Sequence, residues 1–524
     1  MKHDNLESGV AAANDSAVLA RAGKKEVMKR EWGFFPILCF SATVLATWEG
    51  TSAVFISAFV NGGPVSVVYG FIISAIGTVA IGASFAEMAS MSPVAGAQYH
   101  WTAEHSPRRA RAILSWIQGW MTVLAWQVVV ASVMFLNATM IQALIIWNNA
   151  NYTAPRWHAT LLMIAFSAWA CVFNTIGKRF VPIFETLAGC CHVIFFFIIM
   201  ISMLATSTKA SNDAVWKSFV NGGGWPSDGV SFCIGFLTPA FALAGIESIV
   251  HMSEETKNAA INIPRAMILS VGINGLAGFA YILTVLYSIN DLDAVFSNTT
   301  GYPIIEVFYQ ATGNLHAATA MLCGVLVVFI MASVAILASA SRLTWAFARD
   351  QGLPFSSFLA HINPTLGAPV RAVILNFVLT VLLSLINIGS TTAFNALISL
   401  ATLALYISYG FPIVLLVIRR LRGHNIEFGP WSMGKFGIFA NVVAIAFCTF
   451  LVIFLPFPTI IPVTAQNMNY AVVVFAGVML WAVASWFVSG RRRFVGPIQE
   501  MSVTDVSSDS SGIYHEHVGM EQKN

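Results

Sequence analysis

The chain reads as an all-α membrane protein of twelve transmembrane helices. Its composition, its count of long apolar stretches and its placement of basic residues all point there. Hydrophobic residues make up 57% of the 524 positions and charged residues 10%, against roughly 25% charged in soluble domains. A soluble core could not hide that excess of apolar surface, so the natural solvent is a bilayer. A net charge of +3 makes no case for a nucleic-acid partner. Seven cysteines (Cys39, Cys171, Cys190, Cys191, Cys233, Cys323, Cys448) all fall in apolar segments without a C-x-x-C pair. They read as buried free thiols. Neither a metal nor another cofactor is expected.

A hydrocarbon core of about 30 Å takes roughly 20 apolar residues per helix. Twelve segments qualify, near 34–61, 65–90, 112–146, 157–176, 180–206, 229–252, 264–289, 314–345, 369–388, 391–418, 436–459 and 468–489. Positions 1–32 lack an apolar run behind a short basic start, so the first span serves as an uncleaved insertion signal. The domain plan is a tail over 1–32, a transport domain over 33–490 and a second tail over 491–524.

An even number of spans puts both tails on one side. That side collects 24 of the 27 Lys and Arg residues, and only Arg156, Lys209 and Lys217 fall opposite. The asymmetry predicts cytoplasmic tails. Sequons at Asn151 and Asn298 lie in loops assigned outside and are candidate glycosylation sites. The Asn137 sequon sits in or beside a span and is expected to go unused. Both tails read as disordered segments, either inert or handles for trafficking machinery, with Lys24, Lys25 and Lys29 as modification targets.

Two spans carry helix breakers. Span 1 contains Glu49-Gly50-Thr51-Ser52 near its middle, and span 6 contains Pro239 and Gly245. Proline removes a backbone bond and glycine weakens the helix. Breaks five spans apart suggest an inverted repeat, spans 1–5 against 6–10, with the two broken helices meeting at a binding site.

Four stretches carry a family likeness: NGGPVSVVYG (61–70), ASFAEMASMSPVAGAQYHW (83–101), GIESIVHMSEETKNAAINIPRA (245–266) and SRLTWAFARDQGLP (341–354). With them, the chain resembles the amino acid–polyamine–organocation permeases, most closely the fungal amino acid, GABA and choline type. The resemblance covers about 33–490. It implies a five-plus-five inverted repeat with broken helices 1 and 6, two extra helices, and secondary active transport. Trp48-Glu49-Gly50 stands where relatives often have a glycine-rich break. Some proton-coupled relatives carry a lysine in span 5. Here span 5 has Glu185 and His192, and no lysine beyond Lys178.

An ionisable residue inside a bilayer costs about 2.5–3.5 kcal/mol on insertion scales and marks a functional site by default. Glu49 suits a substrate amine, or is a protonated packing group. The amides of Gly50, Thr51 and Ser52 suit a substrate carboxylate. Trp48, Phe241, Ala244 and Gly245 complete the expected substrate-binding set. Phe236, Trp126 and Tyr281 are further aromatic candidates, and an aromatic wall also suits a quaternary ammonium. Glu247 reads as a proton-coupling or gate residue, or as a structural hydrogen bond to freed backbone. His251, Glu254, Glu255 and Lys257 read as a solvated cap that pairs with Arg342 or Arg349.

The expected function is proton-coupled uptake of a small amino compound such as an amino acid or GABA, from the plasma membrane. Choline or another organocation is the alternative substrate. A transporter-like nutrient sensor is the rival class, disfavoured by tails of about 32 and 34 residues. No catalytic motif supports an enzyme.

Overall fold

The computed structural model describes residues 15–465 and 467–500, with the backbone alone over 391–396. Among these residues, twelve helices are long and apolar enough to cross a bilayer. They are Phe34–Val60, Gly63–Met91, Arg111–Asn148, Arg156–Asn174, Lys178–Thr206, Asp228–Glu255, Ala259–Tyr287, Leu315–Arg349, Val370–Gly389, Leu397–Leu421, Gly434–Phe454 and Ala471–Arg493, numbered here as spans 1 to 12. The helix of span 10 begins at Thr391. No strand occurs among the described residues, only isolated bridges. Large apolar side chains such as Ile183, Ile201, Leu276, Leu382 and Trp481 stay exposed on the outer helices, as a lipid-facing surface requires.

Two boundaries differ from expectation for local reasons. Span 11 ends at Phe454 rather than near 459, because Pro456 and Pro458 withdraw amides and disfavour helix before them. Span 7 starts at Ala259, before Pro264. The extra turn is held by Asp15 of the first tail, whose carboxylate accepts from the Asn258 and Ala259 amides at 2.7 and 3.1 Å.

Both expected interruptions exist: that of span 6 falls at its breakers Pro239 and Gly245, whereas that of span 1 falls before Glu49-Gly50-Thr51-Ser52. Span 1 is Phe34–Leu45 and Thr47–Val60 joined at Ala46, which has φ 40° and ψ 48°. A left-handed alanine costs roughly 1–2 kcal/mol, so packing must impose it. The second half bends again at Val54. Thr238 enters the ladder there: its hydroxyl donates to Val54 O (2.7 Å) and accepts from Ala58 N (3.1 Å). Span 6 is Asp228–Ile234, Leu237–Ala242 and a 3-10 stretch Ile246–Glu255. Pro239 cannot bond Gly235 O, which separates the first two pieces. Gly245, at φ 92°, opens the main gap over 243–245, a conformation glycine adopts without strain.

The face bearing both tails is clamped by buried ion pairs. Arg349 binds Glu254 through two bonds of 2.8 Å. Arg342 Nε and Lys178 Nζ approach the two oxygens of Glu255 at 2.9 and 3.0 Å. Arg420 pairs with Glu87. Glu254, Glu255 and His251 are buried, so they are not the solvated cap that their polarity suggests. Only Lys257 of that group is exposed.

The described parts of the tails pack rather than dangle. Lys24 is buried against Asp350 and donates to Ile498 O at 3.0 Å. Asp350 also accepts from Tyr99 Oη (2.8 Å) and Ile498 N (2.9 Å). One carboxylate thus joins the first tail, the second tail and the end of span 8. Burial pushes the Lys24 pKa down while Asp350 pulls it back up. Of the three lysines expected as modification targets, Lys24 is buried, and Lys25 and Lys29 are exposed. The rest of both tails lies outside the described residues. The cysteine expectation holds for Cys39 and Cys448, whereas Cys190 and Cys323 are exposed on the outer helices.

Removing one partner of a buried pair costs about 3–5 kcal/mol. Asp350→Ala should therefore free the first tail. Trypsin should cut the folded chain at Lys24 and Lys25 many times faster than in the unsubstituted protein. An unchanged rate would mean that other contacts hold the tail.

Candidate functional site

The two interruptions face one another. A Cβ on Gly50 would lie 3.2 Å from Ala242 Cα, so the second half of span 1 rests hard against span 6. Beside this contact lies a cavity of about 40 Å³, room for about three waters. Its walls come from spans 1, 3, 6, 8 and 10. Val44, Leu45, Ala46 and Gly50 meet Phe241, Ala244 and Gly245, with Trp126, Phe329 and Thr402 closing the sides.

Where Thr47–Val60 begins, the Thr47 amide donates to Asn274 Oδ1 at 3.2 Å. The Trp48 and Glu49 amides have no acceptor among the described residues. These are the free donors of the half-helix, not the expected amides of Gly50, Thr51 and Ser52. Gly50 N already bonds Ala46 O at 2.6 Å, and Thr51 and Ser52 lie further along the helix. Positive and negative helix ends thus meet at Ala46, the amides of one half next to the terminal carbonyls of the other.

Half of the expected binding set lines this cavity. Gly50, Phe241, Ala244 and Gly245 do; Trp48, Glu49, Thr51 and Ser52 do not. Glu49 faces span 5, with Oε1 2.7 Å from His192 Nδ1. Trp48 packs among His192, Phe196 and Tyr281, at centroid distances of 6.1, 6.4 and 5.5 Å. Ser52 Oγ lies 2.6 Å from Tyr281 Oη, and the Thr51 hydroxyl donates to Thr47 O at 2.8 Å. Of the further aromatic candidates, Trp126 lines the cavity, while Phe236 and Tyr281 do not.

Glu247 sits just beyond the span 6 gap and accepts from Trp126 Nε1 at 3.1 Å. Its other oxygen has no hydrogen-bond partner among the described residues. One cavity wall is therefore hung on this carboxylate. Tyr409 Oη accepts from Gly245 N at 3.0 Å, and Tyr406 Oη donates to Ala240 O at 3.0 Å. Span 10 thereby takes up backbone groups of span 6 at and before the gap. Sequence reasoning missed Tyr406, Tyr409, Asn274, Phe329 and Thr402. Asn274, an amide in the middle of span 7, was the available signal.

On the face opposite the tails, Asn151 is exposed and Asn298 half-buried, with Asn298 Oδ1 accepting from the Thr300 amide at 3.0 Å. Asn137 is buried within span 3. No cluster of metal-ligating side chains occurs among the described residues.

The profile of a family described as amino acid permease matches residues 33–478. A choline transporter of Saccharomyces cerevisiae is 31% identical over 493 residues, covering 94% of this chain and 85% of the relative. The amino-acid permease BAT1 of Arabidopsis thaliana is 29% identical over 503 residues, covering 92% and 96%. The amino-acid permease 2 of Neurospora crassa is 28% identical over 493 residues, covering 93% and 90%. The protein belongs to the amino acid permease family, within the amino acid–polyamine–organocation superfamily.

Proposed function

We propose that the chain is a proton-coupled importer of a small amino compound, an amino acid or GABA, at the plasma membrane with both tails in the cytoplasm. The observation that carries the substrate class is the junction at Ala46. The free amides of Trp48 and Glu49 stand beside the terminal carbonyls of the other half-helix, between the lining residues Ala46 and Gly50. That pairing suits a molecule with a carboxylate at one end and an ammonium at the other. A quaternary ammonium is the second reading. Trp126, Phe241 and Phe329 give the cavity aromatic faces, and a relative is named as a choline transporter.

In this reading Gly50, Phe241, Ala244 and Gly245 touch the substrate, and Trp48, Thr51 and Ser52 support the half-helix from behind. Glu247 acts as the gate, because it fixes Trp126 from the side of the ion-pair clamp. Room for about three waters requires the walls to part before a substrate of several heavy atoms enters. Charge bias supports the orientation, and the exposed Asn151 is open to glycosylation from outside.

Radiolabelled uptake in a permease-deficient yeast, across amino acids, GABA, choline and polyamines, tests the function. Saturable uptake of one class is expected, and none above background at normal surface expression would refute it. For an amino acid substrate, the decarboxylated amine should compete poorly. Good competition by methylated amines would select the organocation reading.

The gate predicts a second outcome. Trp126→Phe removes a hydrogen bond worth about 0.5–1.5 kcal/mol, so the half-saturation constant should rise about two- to tenfold. An unchanged constant at equal surface expression would mean that Glu247 does not set the cavity wall. For topology, cysteines at Ser211 and Ser297 should label from outside intact cells and one at Ser508 should not. Labelling at Ser508 would reverse the orientation.

A further inference from the structure

Glu49 and His192 form an ionisable pair that the cavity does not use. Both are buried, Glu49 at 0% and His192 at 2% exposure. Glu49 Oε2 has no hydrogen-bond partner, and no Lys or Arg pairs with either group among the described residues. Of the other titratable groups nearby, Glu185 also keeps one oxygen, Oε1, without a hydrogen-bond partner among the described residues. From span 7, Tyr281 bonds Ser52. On span 5, Glu185 accepts from the Thr43 hydroxyl at 3.1 Å. Span 1 itself adds Cys39 as a buried thiol. The arginines of span 8, Arg342 and Arg349, are paired with Glu255 and Glu254. The helix Ile304–Thr312 packs against spans 1 and 5, and its Glu306 accepts from Gln310 Nε2 at 3.3 Å.

We propose that the Glu49–His192 pair carries the coupling proton, while the substrate occupies the opposite side of the same helical turn. The proposal deepens the transport reading above and rests on it. With His192 neutral, its Nδ1–H donates to the Glu49 carboxylate, and the pair holds one net negative charge. One proton from water makes the pair neutral, and Oε2 is the oxygen with no bond to compete for it. The same O–H bond breaks on release, and the proton leaves to water on the other side. Nothing else is made or broken.

The fold links this proton to the cavity through one rigid piece. Successive residues of a helix point about 100° apart, so Glu49 faces span 5 while Gly50 faces span 6 and the cavity. Trp48, in the same turn, packs on His192 and Tyr281. A shift of Thr47–Val60 that reshapes the cavity must also change the Glu49–His192 distance. A bilayer disfavours the net charge that separation would strand. Movement is therefore favoured when the pair is neutral.

Two measurements on the full chain in lipid test this. The first needs no substrate. A pH-difference infrared spectrum should contain a carboxylic-acid C=O band that vanishes in Glu49→Gln, shifts in His192→Asn and persists in Glu247→Gln. The second uses proteoliposomes with radiolabelled GABA and radiolabelled choline. Glu49→Gln and His192→Asn should retain exchange across the membrane, while accumulation driven by an inward proton gradient falls from several-fold to about equal concentrations. An infrared band intact in Glu49→Gln would overturn the proposal. So would wild-type accumulation in both pair variants, or loss of gradient response in Glu247→Gln alone. If the unsubstituted protein exchanges neither compound, the transport reading fails for these substrates, and the infrared band still decides the pair.

Discussion

A bilayer offers no hydrogen bonds, so every backbone amide and carbonyl within it must find a partner inside the protein or line a cavity. Nearly all of this chain obeys by remaining helical. It departs at Ala46 and over 243–245, and the rest of the fold serves those two places. Asn274, Tyr409 and Thr238 take up amides that the breaks and bends release. The Trp48 and Glu49 amides are left over at the junction, between the cavity-lining Ala46 and Gly50.

The face with both tails shows a different economy. Six acidic groups are committed there: Asp15 to helix amides, and Glu87, Glu254, Glu255, Asp350 and Glu104 to cations or hydrogen-bond donors. Burial pushes the Glu104 carboxyl up, but His100, His105 and the Ser92 hydroxyl bring it to about 2. Buried pairs add little net stability over apolar packing, yet breaking one is costly. Such contacts suit a closed gate that opens as a unit, and they tie the tails to it through Asp350.

Much of this was legible in the sequence. Bilayer physics writes itself into hydropathy, so the twelve spans follow from apolar length. The location of the breaks was legible only to within a few residues. Gly245 announces its left-handed turn, whereas Ala46 adopts one with nothing in its side chain to mark it. Glu49 was drawn toward the cavity because it is the carboxylate nearest the break. Helical rotation decides otherwise: Gly50, one residue on, has that face. Apart from Trp126, the lining from spans 3, 8 and 10 was invisible because Val129, Val133, Phe329 and Ile336 look like any other packed residue. The tail contacts were hidden for another reason. Lys24 and Asp350 are 326 residues apart, and no local pattern joins them.

The central claim is that the junction at Ala46 and the gap at Gly245 enclose the substrate. The direct measurement is protection of single cysteines, placed at Ala244 and Ala401 in a chain with its native cysteines replaced. The rate of modification by a small thiol reagent is compared with and without the transported compound. Ala244 and Ala401 line the cavity from spans 6 and 10, and the account predicts that the compound slows both several-fold, with no effect on a cysteine at Tyr281. Protection at Tyr281 with none at Ala244 and Ala401 would put the substrate behind span 1 and contradict the account.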